Sequence, residues 1–186
     1  QQNEGVTDSS PDPEMINLFN AMVDEMFDYG KHILLKKRKN PENDLLSAIA
    51  NAKIEGKELT QEFLDGSWLL IVFAGNDTTR NTMSGGIKLL HDNQDQKELL
   101  VNNPDYLPNF INETIRCVSP VIHMRRTSLE ETEINGQRIG PYEKIALWYG
   151  AANRDPEIFE DPDRFNILRE NADKHLAFGI GRHTCL

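Results

Sequence analysis

The residues able to do chemistry crowd into a few short segments. FGIGRHTC, Phe178–Cys185, sets a cysteine behind two glycines and an Arg-His pair. Gly179 and Gly181 permit a tight turn in which backbone N–H groups approach one spot, and a sulfur escorted in this way suits a thiolate metal ligand. A cysteine nucleophile served by His183 is the competing chemistry, but near neighbours on a chain do not thereby bring a base against a thiol. Cys117 lies mid-helix without polar escort and reads as a small buried hydrophobe.

The second segment is AGNDTT, Ala74–Thr79, set inside an otherwise apolar helical pattern. One reading is a packing kink, since Ser and Thr bond back to the preceding turn and bend helices. The other is functional: Ala74 and Gly75 leave room for a flat ligand, and Asp77 and Thr78 place an acid and a hydroxyl beside it, the groups a proton relay needs. The third segment is ETIR, Glu113–Arg116. An exposed Glu-Arg pair at this spacing contributes only about 0.2–0.5 kcal/mol; it gains meaning only if buried, where each charge must be satisfied.

The elements that must position these groups are mostly helical. Residues 1–13 are polar, with two prolines and no apolar period. Met15, Leu18, Met22 and Met26 begin a helix that runs to about Lys39, and a shorter one carries Leu45, Leu46 and Ile49. Gly56 ends that unit. Thr60 is a good N-cap for a long helix from about Gln61 to about His91, apolar on nearly every face and therefore expected to run through the interior. Short helices are expected over 94–101 and 107–117. After Pro120 short strands follow, with a hairpin at Asn135-Gly136 and a strand at KIALWYG. Residues 153–174 are rich in proline and acid, with little periodicity.

A net charge of −10, from 30 acidic against 20 basic residues, argues against a nucleic-acid surface. The basic run Lys36–Lys39 reads as a solvated helix end. No signal-peptide pattern opens the chain, and the apolar run Trp68–Ala74 is far short of the roughly 20 residues a membrane helix needs. Two cysteines match no zinc or disulfide framework, which points to a reducing cytoplasm.

Taken in order, these stretches resemble the cytochrome P-450 family of haem-thiolate monooxygenases. AGNDTT looks like the oxygen-activating motif A/G-G-x-D/E-T and ETIR like ExxR. DPDRF, Asp161–Phe165, looks like the meander arginine segment, and FGIGRHTC like the cysteine-ligand loop. The resemblance implies a mainly α fold with a small β region. It further implies one incomplete domain over 1–186, lacking the N-terminal helices and the helix after the cysteine. Its parts are a loop (1–13), a helical part (14–117), a strand-rich part (118–152), and the meander with the cysteine loop (153–186).

By that resemblance Cys185 is the axial thiolate of haem b, the ligand that favours O–O cleavage. Gly179 and Gly181 let backbone approach the sulfur, Phe178 shields the proximal side, and His183 and Arg125 bind haem propionates with His123 as companion. Arg126 is a second candidate for the Arg125 role. Ala74 and Gly75 form the oxygen groove, while Asp77 and Thr78 deliver protons. Glu113, Arg116 and Arg164 form a buried ion-pair triad, and Val121 and Ile122 line either an apolar substrate pocket or ordinary strand packing.

The implied reaction inserts one atom of O2 into a C–H bond of an apolar molecule, an alkane or terpenoid. Electrons come from NAD(P)H through a ferredoxin reductase and a ferredoxin, with Arg182 a candidate contact. The implied protein is cytoplasmic and monomeric, without a membrane anchor in this segment. Two rivals stand beside this: a non-oxygenating haem-thiolate protein, either a sensor or a peroxide user, and a truncated chain inactive as it stands.

Overall fold

The computed structural model describes residues 12–185, which form two compact units, one up to Ala74 and one from Gly75. The first unit is built on α1 (Pro13–Lys39), α2 (Leu45–Asn51), the hairpin β1 (Lys53–Ile54) and β2 (Lys57–Glu58), and the start of α3 (Gln61–Asp92). Asp12 caps α1 by accepting the Glu14 N–H at 2.9 Å, with Pro13 in the first turn. The basic run at its end complements the helix dipole. It is also employed locally: Lys37 Nζ bonds Glu42 at 2.6 Å and also Asp44, and Arg38 Nε donates to Ala50 O at 2.9 Å. Asp44 in turn caps α2 through the Ser47 N–H at 2.7 Å.

The core of this unit joins Leu34, Ala50, Leu64 and Trp68, with Phe27, Leu46, Ile49, Leu59 and Val72 packed against it. Gly30 is required at this contact, because a Cβ there would stand 2.4 Å from the Trp68 ring. The indole N–H donates to Met26 O at 3.0 Å, which satisfies the one polar atom the burial of Trp68 would otherwise strand. Glu55 and Gly56, both at positive φ, make the tight turn between β1 and β2.

The second unit takes the rest of α3, then α4 (Gln94–Asn102) and α5 (Leu107–Val118). Four antiparallel strands follow: β3 (His123–Thr127) pairs with β6 (Lys144–Trp148), and β4 (Thr132–Ile134) with β5 (Gln137–Ile139). The expected hairpin at Asn135-Gly136 is present, with Ile134 opposite Gln137 and both turn residues at positive φ. After α6 (Tyr149–Ala152) the aperiodic segment is an ordered, packed stretch of turns. Phe159, Phe165, Ile167, Ala172 and Ala177 within and just after it are buried and supply much of the unit's core.

The mainly helical class and the long helix agree with expectation; the burial of the long helix does not. Leu70, Phe73, Met83 and Ile87 are each 63–70 % exposed, and of AGNDTT only Thr78 is partly covered. A helix apolar on nearly every face needs neighbours all round, and the described residues leave part of its surface open.

Candidate functional site

The site is assembled around a buried ion cluster on α5. Glu113 and Arg116 are fully buried, and the guanidinium grips the carboxylate with two parallel bonds, Nε to Oε2 at 2.7 Å and Nη2 to Oε1 at 2.9 Å. The second arginine of the cluster is Arg169, whose Nε lies 3.1 Å from both Glu113 oxygens. The expectation for Arg164 is therefore corrected. Its side chain is exposed, and it joins the cluster only through its carbonyl, which accepts from Arg169 at 3.0 Å and Arg116 at 3.3 Å. The reason is the turn at Asp161 (φ 45°): it brings the carbonyls of Glu160, Asp161, Pro162 and Arg164 inward, and the next arginine along reaches back over them.

Two guanidinium groups against one carboxylate leave a buried excess of positive charge. Carbonyl oxygens of Asn153, Pro162, Glu160 and Asp161 absorb it at 2.6–3.1 Å, and the Phe159 ring lies 5.1 Å from Arg116 Cζ. Asn166 N–H completes the set by donating to Glu113 Oε1 at 3.0 Å. Cys117 touches this cluster, with Arg116 Nη2 3.2 Å from its sulfur. Burial first, then the nearby Glu113 charge, pushes its thiol up to about 11, so it stays protonated and inert.

Beside the cluster, α3 and α5 bound a mostly apolar cleft of about 550 Å³. Thr78, Thr82, Met83 and Gly86 line it from α3, Phe110 and Thr114 from α5, and Phe178 from the cysteine loop. Thr82 Oγ1 is turned back to Thr78 O at 2.8 Å. Thr114 Oγ1 is the one buried side-chain polar atom among the described residues without a hydrogen-bond partner. The helices approach closely because α3 carries Gly85 and Gly86 here: a Cβ on the first would stand 2.5 Å from Val118, and on the second 3.0 Å from Thr114.

Phe178 connects this cleft to the cysteine. Its carbonyl accepts the Cys185 N–H at 2.9 Å, closing a loop in which Gly179 (φ 72°) and Gly181 (φ 80°) take the left-handed turns. Gly179 N–H is committed to Leu176 O at 2.9 Å, and Thr184 N–H to Gly181 O at 3.1 Å. Cys185 is an exposed free thiol, and His183 is exposed in the turn Gly181–His183.

The other expected site residues are distributed around these elements. Of them, only Thr78 and Phe178 line the cleft. Ala74, Gly75 and Asp77 are exposed on α3, and Asp77 Oδ2 accepts from Asn81 one turn on at 3.2 Å. His123 and Arg125 share one face of β3 by the two-residue pleat. The imidazole stacks on Trp148 at 4.8 Å, while the Arg125 guanidinium is exposed without a partner among the described residues. Val121 and Ile122 precede that strand, partly and largely exposed respectively.

The Cytochrome P450 family model matches residues 12–186. The chain belongs to the cytochrome P450 family. Linalool 8-monooxygenase of Pseudomonas putida is 38 % identical over 165 residues, which are 89 % of this chain and 40 % of that protein. A steroid C26-monooxygenase of Mycolicibacterium smegmatis is 40 % identical over 159 residues, 86 % of this chain and 39 % of its own length. Among solved structures, cytochrome P450-153 of Novosphingobium aromaticivorans superposes with a TM-score of 0.82 at 37 % identity, covering 94 % of this chain and 43 % of that one. The chain thus spans about 40 % of the length of these P450 relatives. No helix among the described residues of this P450 chain is long and apolar enough to cross a membrane.

Sequence reasoning missed Arg169 and Asn153, both of which meet the buried cluster. The signals were present: a second arginine follows DPDRF within the same segment, and Asn153 stands where the strands give way to the meander. Neither carries a spacing that names its partner.

Proposed function

We propose that the whole protein is a haem-thiolate monooxygenase, with Cys185 as the iron ligand. One observation carries this reading: the N–H of the exposed Cys185 is tied to the carbonyl of Phe178, a residue whose side chain walls the apolar cleft beside Thr78. The donor set suits an iron porphyrin, which needs one protein thiolate, an apolar slot and hydrogen-bond donors for two carboxylates. Cys185, the cleft, and the exposed His183 and Arg125 offer these. When bound, a haem-thiolate supplies O2 activation.

The chain's own residues then divide the remaining work. Arg125, with His123 stacked on Trp148, and His183 would hold the propionates, while Phe178 and the turns at Gly179 and Gly181 would present the sulfur. Ala74 and Gly75 leave room on α3, and Asp77 and Thr78 hold and pass protons at that helix. Val121 and Ile122 offer apolar surface to substrate. The two units belong to one catalytic domain in this reading.

The substrate is an apolar aliphatic, an alkane or terpenoid, a reading supported by the likeness to a linalool 8-monooxygenase. Electrons come from NAD(P)H through a ferredoxin, with Arg182 at the docking face, and the protein works as a cytoplasmic monomer. The test of the ligand is spectroscopic. The whole protein, reduced under carbon monoxide, is expected to give the strongly red-shifted band of a thiolate-ligated haem, and Cys185→Ser to abolish it. A band that survives the substitution removes Cys185 from the iron.

A further inference from the structure

Resting on the reading of Cys185 as the iron ligand, we infer that Asn153 is the positioning residue that ties the cysteine loop to the buried ion cluster. Asn153 is completely buried at the end of α6, and every polar group it carries is used. Its carbonyl accepts Arg116 Nη1 at 2.7 Å. Its amide Nδ2 donates to Ser119 Oγ at 2.8 Å, and that hydroxyl donates to Arg116 O at 2.9 Å. Its backbone N–H donates to Tyr149 O at 2.9 Å. The remaining atom, Oδ1, accepts the Leu176 N–H at 2.6 Å.

That last bond is the link to the loop. Leu176 is the residue whose carbonyl takes the Gly179 N–H at the first left-handed turn, and the following Phe178 carbonyl takes the Cys185 N–H. One residue therefore meets Arg116 through its backbone carbonyl, while its side chain joins the Ser119 end of α5 to the base of the loop that presents the sulfur. The amide is suited to this because it accepts at one atom and donates at the other. Ser119 is held in the left-handed conformation (φ 44°) that aims its hydroxyl at Asn153. A buried group with every partner satisfied specifies one geometry, whereas removing its side chain strands the Leu176 N–H and takes from the Ser119 oxygen the donor it accepts.

The test compares Asn153→Ala, Asn153→Asp and Ser119→Ala in the whole protein, with two readouts. The first is the rate at which iodoacetamide labels Cys185 in the apoprotein, located by peptide mass; the second is the rate of haem release from the loaded protein. Asn153→Ala is expected to speed both by about tenfold, the usual scale for losing an outer-shell partner of a metal ligand, with helix content unchanged by circular dichroism. Asn153→Asp keeps the acceptor for Leu176 and is expected to label Cys185 at the wild-type rate. Ser119→Ala frees the amide to turn and is expected to fall between them, and it decides the matter if Asn153→Ala does not fold. Wild-type labelling in Asn153→Ala or in Ser119→Ala, or equal labelling in the Ala and Asp variants of Asn153, overturns the positioning role. The labelling arm needs no haem, so loss of the Cys185 iron-ligand reading would show separately, as a wild-type carbon monoxide band without thiolate character.

Discussion

Arg169 meets Glu113 side on, its Nε equidistant at 3.1 Å from both carboxylate oxygens, while Arg116 holds the same carboxylate from the adjoining turn of its own helix. One acid thereby joins α5 to the meander across more than fifty residues of chain, and Arg164, the arginine within the recognisable motif, contributes only a carbonyl.

Removing Arg169 takes one of two cations from the buried Glu113 carboxylate and leaves the inward Glu160 and Asp161 carbonyls without their donor. Arg169→Ala is expected to cost about 3–5 kcal/mol, whereas Arg164→Ala, an exposed change that keeps the carbonyl, should stay within about 0.5 kcal/mol. Urea denaturation of the two variants decides between them, and equal losses would restore Arg164 to the cluster.

The approach of α3 to α5 depends on a missing side chain. Gly85→Ala would set a Cβ 2.5 Å from Val118 Cγ2 and is expected to cost about 1–3 kcal/mol through overpacking. Val118→Ala in the same chain should recover part of that loss. A double-mutant cycle with no favourable coupling would mean the helices simply move apart.

His175 should impose a pH dependence on stability. It is 8 % exposed, and burial first of all lowers its pKa below the usual 6.5, aided by repulsion from Arg116 and opposed by Asp173 and its own backbone bond. Its Nδ1 accepts the Ala177 N–H at 3.3 Å, which requires the neutral ring, and its edge meets Phe178 at 5.2 Å. The folded state therefore binds the proton less readily than the unfolded state. Its contribution is complete above about pH 6.5 and is lost as pH falls through the lowered folded value. His175→Phe should flatten the stability profile over that interval, as measured by thermal melts from pH 7.5 down to 5; an unchanged slope would show that other groups set it.

Under the proposed function, Thr78 acts on protons and not on binding. For Thr78→Ala in the whole protein, oxygen consumption is expected to persist while product per O2 falls by about tenfold or more and hydrogen peroxide rises. Simultaneous assay of oxygen, peroxide and product tests this; unchanged coupling takes Thr78 out of proton delivery.

Periodicity, caps and turn residues were legible in the sequence because they are local. The span of α3, the Thr60 cap (Phe63 N–H to Thr60 Oγ1 at 3.3 Å) and the Asn135-Gly136 hairpin follow from neighbours within a few residues. The motifs carrying Cys185, Glu113 and Arg116 were legible for the same reason, since each needs one turn of helix or one tight loop. What the tertiary structure alone decided are pairings over long separations. Arg169 displaced Arg164 at Glu113, Asn153 took up the Leu176 N–H, and Phe178 reached the wall made by Thr78 and Thr114. Candidates for such pairings are many along a chain, and only the packing that buries Glu113 selects the donors able to reach it, because a charge without water must take whichever partner the backbone turns inward.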